Sequence, residues 1–580
     1  MNSQLLAVAL TFLTTILLAI PFGKYIAKIY GGQKTLLDPI FTPIEKLIFR
    51  FSGINASKQM NWKQHLKAML TINFLWFFLG MFLLMNQGWL PFNPDGNPSM
   101  SPDLAFNTAI SFLINCNLQH YSGESGMSYF IQIFFVTFLQ FVSAATGLAL
   151  AAMIFKSLSP KKQEDKDAEN ENKIGYLRGL GNFYNYFLKS CTRILLPLSV
   201  VVAAILLFNG TPMNTEGKDQ FTSLEGDTVN VSRGPAAAMI AIKHIGTNGG
   251  GYFGANSAHP LENPNFLTNT VEIIAQMIIP LAMIFALGYF INRKKLSWMI
   301  FSVMTIGFLL LTIPTILTEI GGNPAISRMG INQSAGAMEG KEVRFGTPAS
   351  AYWSIATTVI STGSVNAMHD STMPLSGMMQ MLAMMTNAFY GGCGVGILNF
   401  YIYIIIAVFI SGLMVGRTPE FMGKKVEARE VKIAMIVALF HPFLILVGTA
   451  LASYGIMNIK DIAWLNNPGF HGFSEMLYEY TSSAANNGSG FEGLGDNTPW
   501  WNISTGIVLI MGRFIPIIGP LAIAGLLANK KEIPESAGTL KTDTSTFGLM
   551  IFAVIFLITA LSFFPALTLG PIAEYFTLYK

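Results

Sequence analysis

Residues 246–256 read GTNGGGYFGAN, three consecutive glycines behind a threonine and an asparagine. Such a run weakens helices and strands alike, because glycine loses the most backbone freedom on ordering. Glycine also reaches positive φ without a Cβ penalty, so consecutive carbonyls can be turned the same way. Three other stretches share this make-up, each an apolar segment ending in Asn, Thr, Ser and Gly. Together the four are FNTAISFLINCNLQHYSGE (106–124), AAMIAIKHIGTNGGGYFGAN (237–256), SIATTVISTGSVNAMHD (354–370) and EMLYEYTSSAANNGSGFEG (475–493). Neutral oxygens that replace a hydration shell suit a hard, weakly held monovalent cation. Divalent cations usually want carboxylates, and the Gly/Asn/Thr cores of these stretches contain none.

The elements that must position them are long and apolar. The chain of 580 residues is 52% hydrophobic and 12% charged, where a soluble domain carries about 25% charge. Ten segments approach the ~20 residues that span a bilayer. They run over 3–29, 64–86, 128–156, 191–208, 269–291, 297–318, 396–416, 432–455, 503–528 and 547–572. This composition predicts an all-α polytopic membrane protein. The first segment lacks a basic leader and reads as a retained helix rather than a cleaved signal. Basic residues gather in alternate loops: Lys34, Lys46, Arg50, Lys58 and Lys63; Lys161, Lys162, Lys166, Lys173, Arg178 and Lys189; Arg293, Lys294 and Lys295; Arg417, Lys424, Lys425 and Arg429; Lys530, Lys531 and Lys541. These loops are expected on the cytoplasmic side, which points both termini outward. The net charge of +4 is spread over short loops, so nucleic acid is a poor partner. Cys116, Cys191 and Cys393 are too few for a disulfide framework and form no metal-binding spacing.

Two of the stretches share a longer frame. LEGDTVNVSRGPAA begins at Leu224 and MEGKEVRFGTPAS at Met338, and Thr247 and Thr362 keep nearly the same offset. A matching offset at two landmarks argues for an internal repeat; the first and fourth stretches match in pattern more than in letters. The core therefore reads as span, short outer helix, polar Gly/Asn strand, span, four times over. A helix of about 11 residues reaches only about 17 Å and cannot cross, so it dips in and returns. Irregular backbone at that depth survives only inside protein or around a wet pore. Four returns around one axis aim negative helix ends and carbonyls at a cation. Taken singly, each stretch also reads as an ordinary Gly/Asn-rich loop. Four in equivalent places favour the pore reading.

GTNGGGYFGANSAHPLENP (246–264), VNAMHDS (365–371), MVGRTPEFMGKK (414–425) and YTSSAANNGSGFEGLGDNTPWWN (480–502) resemble the potassium-binding A subunit of bacterial Kdp potassium-importing ATPases. The resemblance covers nearly the whole chain. It implies a potassium-channel-like fold with four pseudo-repeats in one polypeptide. It also implies a potassium ion as ligand and a complex with a P-type ATPase catalytic subunit and small membrane subunits. By position, the filter strands it implies are Asn115-Cys116-Asn117, Thr247-Asn248-Gly249, Ser361-Thr362-Gly363 and Asn486-Asn487-Gly488. The first strand departs from the channel pattern: it has no glycine, and Cys116 stands where a hydroxyl residue is expected.

Acidic residues follow the filters: Glu124, Glu262, Asp370 and Glu492. They read as an outer vestibule that concentrates cations, or as solvated loop charge. TNAFYGGCGVGILNF (386–400) holds Gly391, Gly392, Gly394 and Gly396 within some 44 mostly apolar residues from Met373 to Gly416. A broken helix with an intramembrane loop fits that length. A gate below the filter is the reading the resemblance supports, and close helix packing on small residues is the other. Arg513 falls near the middle of the ninth span, where a charge is functional by default. It reads as a positive barrier below the filter or as a structural arginine on carbonyl ends. Lys189 and Arg193 are expected to snorkel. His441 reads as a packing histidine and Met378 to Met385 as flexible apolar packing.

The segments expected are 1–63 (an extra helix and loop), 64–156 (repeat 1), 157–190 (a mobile charged connector), 191–291 (repeat 2), 292–431 (repeat 3, its second helix broken), 432–528 (repeat 4) and 529–580 (an extra helix). The chain lacks a P-loop and a DKTGT phosphorylation sequence, so it is expected to bind no ATP and to be non-catalytic alone. The expected role is the potassium-binding and translocating subunit of an ATP-driven importer in the bacterial inner membrane. The alternatives are a stand-alone potassium channel or uptake protein, an ion-coupled solute carrier, and an intramembrane hydrolase using Ser489. The nearly acid-free spans argue against the carrier, and no His–Asp set beside Ser489 supports the hydrolase.

Overall fold

The computed structural model describes residues 2–160, 178–458, 463–534 and 541–579. Lys161, Lys162, Lys166 and Lys173 of the expected connector lie outside the described residues. Ten helices are long and apolar enough to cross a membrane: Asn2–Tyr30, Trp62–Leu84, Ile131–Leu158, Phe183–Phe208, Phe266–Phe290, Lys294–Arg328, Val395–Met414, Ala428–Asn458, Pro499–Ala528 and Ser545–Leu578. Four short helices sit between them at Pro102–Leu113, Ala236–Ile245, Thr347–Val359 and Phe470–Ala485. Strand is confined, among the described residues, to two small antiparallel hairpins, Asp219–Thr222 with Thr228–Val231 and Glu420–Phe421 with Lys424–Lys425.

The arrangement repeats four times as span, short helix, span. In each repeat the span after the short helix is the better buried of the two: 72, 83, 72 and 56%, against 22, 39, 50 and 39% for the span before it. The later spans therefore form an inner ring and the earlier ones face outward. Each short helix is itself buried over most of its length. Pro102 and Pro348 lie in the first turns of the first and third, where a missing N–H costs nothing.

In the third repeat the inner crossing is broken, as its length suggested. Pro374–Thr386 stops at Asn387, which caps it in the left-handed region, and a helix resumes at Val395. Tyr390, Gly391 and Gly394 also have positive φ. The fourth span starts earlier than the 191–208 expected. Asn182 caps Phe183–Lys189 by accepting from Asn185 N (3.1 Å), and the helix continues through a π-helical turn over Ser190–Leu195.

That turn corrects the reading of Arg193 as a snorkelling residue. Its side chain is 6% exposed and ion-paired with Asp38 and with Glu45 (2.6 Å), both on the helix Asp38–Ser52. Glu45 Oε1 also accepts from Thr192 Oγ1 at 2.7 Å. A buried guanidinium needs such a partner. Lys189 remains partly exposed and lines a cleft with Lys24, Lys28 and Lys156. His441 Nε2 donates to the Met384 carbonyl (3.1 Å), and Met381, Met384 and Met385 pack in the apolar core beside it.

The first span stands outside the repeats and lies along the fifth. Thr11, Thr15, Ala19, Gly23 and Ala27 form its buried stripe, one small residue per turn. Such stripes let membrane helices approach closely. A Cβ on Gly23 would stand 2.6 Å from Ala282 O and 2.8 Å from Phe285 Cβ. Gly23→Leu is therefore expected to push the first span off the fifth, at about 1–3 kcal/mol for overpacking. Thermal unfolding of the purified protein in detergent checks this. Leu17→Ala, on the 69% exposed face, should leave the midpoint unchanged.

Candidate ion-binding site

Each short helix runs directly into one of the four strands. The exit has the same wiring every time. The amide of the strand's middle residue donates to the carbonyl five residues back: Cys116 N to Ser111 O (3.0 Å), Asn248 N to Lys243 O (2.9 Å), Thr362 N to Thr357 O (3.0 Å) and Asn487 N to Ser482 O (2.9 Å). The strand amides are thereby turned back toward the helix.

The backbone dihedrals repeat as well. Asn115 and Asn117, Thr247 and Gly249, Ser361 and Gly363, and Asn486 and Gly488 all have positive φ, from 50° to 104°. The residue between each pair does not. A left-handed residue flips its peptide plane relative to a right-handed neighbour, so alternation swings successive carbonyls to one side. Single residues outside glycine enter this region rarely, and Asn is among the least penalised. Asparagine holds it at 115, 117 and 486; Thr247 and Ser361 hold it as well.

The strands touch in chain order. A Cβ on Gly249 would meet Thr362 O and stand 3.0 Å from Gly363 Cα. One on Gly363 would meet Asn487 O and stand 2.9 Å from Gly488 C. One on Gly488 would meet Cys116 O and stand 3.1 Å from Cys116 C. The fourth strand thus returns to the first, and Asn117 of the first abuts Gly250 of the second. The twelve residues form a closed ring. C-terminal helix ends, with their partly negative carbonyls, converge on it from four sides.

Two of the four middle side chains, Asn248 and Asn487, brace the ring. Cys116, Asn248, Thr362 and Asn487 are all fully buried. Asn248 Nδ2 donates to Asn115 Oδ1 (2.6 Å) and Ser143 Oγ (3.1 Å). Asn487 Nδ2 donates to Thr357 O (2.9 Å), and its Oδ1 accepts from Ser489 Oγ (2.6 Å). Two ring carbonyls already accept a side-chain amide: Thr247 O from Asn115 (2.8 Å) and Gly249 O from Asn256 (2.9 Å).

The loop of the broken crossing lies against the ring. Cys393 N donates to Thr247 Oγ1 at 2.9 Å. A Cβ on Gly392 would stand 3.2 Å from Thr247 Oγ1 and 3.4 Å from Ile360 O. Gly391 and Gly396 close the loop on itself, the Cα of each almost touching the other's side-chain position, and a Cβ on Gly394 would stand 2.7 Å from Leu148 N of the third span. Arg513 is buried on the ninth span, beside Gly512, whose Cβ position is 3.1 Å from Ala484 at the end of the fourth short helix. It makes no hydrogen bond or ion pair with the described residues.

The acidic residues separate. Asp370 and Glu492 meet, Asp370 N donating to Glu492 Oε2 (3.1 Å). Glu124 Oε2 instead accepts from Gly254 N (2.7 Å) in the loop after the second strand. Glu262 corrects the vestibule reading. It is fully buried and ion-paired with Lys243, whose Nζ also donates to Asn256 Oδ1 (2.6 Å) and Ser257 Oγ (3.0 Å). Lys243, on the second short helix, was missed because its partners follow it across the glycine run.

The fold is that of a multi-pass helical membrane protein with a carbonyl ring at the meeting point of four re-entrant helices. The family model described as potassium-transporting ATPase A subunit matches residues 9–576. The chain belongs to that family. It is 70% identical to the potassium-transporting ATPase potassium-binding subunit of Flavobacterium psychrophilum, covering all of both chains. The same-named proteins of Bacteroides fragilis and Geobacillus kaustophilus are 59% and 46% identical, over 100% and 98% of each chain.

Lys243→Met is expected to destabilise the protein by about 3–5 kcal/mol, because it strands Glu262 as a buried unpaired charge. Adding Glu262→Gln should recover most of that loss. Unfolding midpoints of the single and double variants in detergent check both.

Proposed function

We infer that this chain is the potassium-binding and translocating subunit of an ATP-driven potassium importer. Potassium would sit in the ring of carbonyls from Asn115 to Asn117, Thr247 to Gly249, Ser361 to Gly363 and Asn486 to Gly488, and pass to a P-type ATPase partner. The observation that carries this reading is the closed ring with positive φ at the first and third residue of all four strands. A dehydrated monovalent cation is matched by neutral carbonyl dipoles in a water-poor setting. The names of the relatives support both the ion and the ATPase assembly.

The other parts take roles around that ring. Asp370, Glu492 and Glu124 lie beyond the strands and favour cation entry. The loop with Gly391, Gly392, Gly394 and Gly396 serves as the gate; its contact with Thr247 of the second strand supports that role. Arg513, buried and without a counter-ion among the described residues, places a positive potential behind the ring and discourages a second cation from advancing. The basic loops support a cytoplasmic placement of the opposite face, with both termini outside.

Gly249→Ala and Gly363→Ala test the ring. An alanine at positive φ costs about 1–2 kcal/mol, and its Cβ meets a neighbouring carbonyl. Each should weaken apparent potassium affinity at least about tenfold, 1.4 kcal/mol being one decade, and reduce discrimination against sodium. Potassium uptake by cells with no other uptake system measures both. Unchanged affinity and selectivity in the two variants would falsify the assignment. Arg513→Gln should alter transport per folded molecule, measured as potassium-stimulated ATPase activity of the purified complex. Normal turnover with lower yield would instead mark a structural arginine.

A further inference from the structure

Beyond the ring, three ligand-type side chains from two elements meet after the strands. Asp370 follows the third strand, and His471 and Glu475 lie one turn apart on the fourth short helix. One ligand atom from each lies within 4.8 Å of the others. We propose that Asp370, His471 and Glu475 bind a first-row divalent transition-metal ion, with zinc the best match, and that Glu574 orients the histidine.

The donor set is the first argument. One imidazole with two carboxylates is a zinc-type set, whereas calcium and magnesium prefer oxygen alone. A tetrahedral ion about 2.1 Å from each ligand holds ligands about 3.4 Å apart, so no pair of the three atoms needs to shift by much more than about 1 Å. The second argument is the outer partner. His471 Nδ1 faces Glu574 Oε1 at 2.8 Å, while Nε2 faces Asp370 Oδ1 at 2.9 Å. Metal on Nε2 displaces that proton and leaves Nδ1–H on a carboxylate, the usual support of a metal-bound histidine.

The third argument is an unmet need. Glu475 is fully buried, and its Oε2 has no hydrogen-bond partner. Asn467 Nδ2 holds the two carboxylates together, 3.0 Å from Glu475 Oε1 and 3.3 Å from Asp370 Oδ2. Two such carboxylates repel in a low dielectric, and a cation between them relieves that. Room is kept by Gly493: a Cβ there would stand 2.7 Å from Asp370 Oδ2 and 3.0 Å from Asn467 Nδ2, and close to Glu475 Oε1. A cavity of about 390 Å³ lined by Glu339, Asp370, Asn467, His471 and Glu574 gives access. Bound metal would fasten the loop after the third strand to the fourth short helix.

Zinc binding by the full chain, purified in detergent and stripped with a chelator, tests this. The expected result is one zinc per chain, not displaced by equal calcium. X-ray absorption should show one imidazole nitrogen among oxygen ligands. His471→Gln and Gly493→Ala should each weaken binding at least tenfold while keeping a monodisperse elution profile; Gly493→Ala removes no ligand. No stoichiometric zinc, a zinc shell without imidazole, or undiminished affinity in the folded variants would each overturn the site.

Discussion

The whole architecture rests on four amide hydrogen bonds. The middle residue of each strand gives its N–H back to its own short helix. That single choice leaves the carbonyls without helical partners and fixes which way they look. Everything else serves to make such backbone tolerable at membrane depth, where an unpaired polar group costs several kcal/mol. The better-buried inner spans surround it, and the four short helices end at it.

Behind the ring lies a second, side-chain layer. Asn115, Asn248 and Ser143 tie the first strand, the second strand and the third span together. Lys243, Asn256 and Glu262 do the same for the second short helix and the loop that leaves it. Buried networks of this sort are rigid when every member is satisfied and destabilising when one is lost. Ties of this kind hold the strand carbonyls in place behind the ring.

Much of this was legible because membrane helices announce themselves by composition and because the polar stretches recur. Thr247 and Thr362 share a frame, and both prove to be members of the ring strands. The broken crossing followed from an apolar run too long for one helix. Other features were hidden by distance in sequence. Arg193 meets Glu45 148 residues away, and His471 meets Asp370 101 residues away. Glu262 looked like loop charge because only the fold shows it turning inward to Lys243. Phe183–Lys189 looked like connector because its aromatic face needs a partner to become a helix.

The loop at residues 387–394 exists in one repeat of the four. In a ring assembled from four identical chains, any insertion under the strands appears four times and must share the axis with its copies. A single polypeptide escapes that rule. It can place an obstacle, a lone arginine or a strand without glycine in one quadrant and leave the other three untouched. Departure from fourfold symmetry is thus available to this protein as a freedom: the passage can be made lopsided, with a preferred side for an ion to leave by.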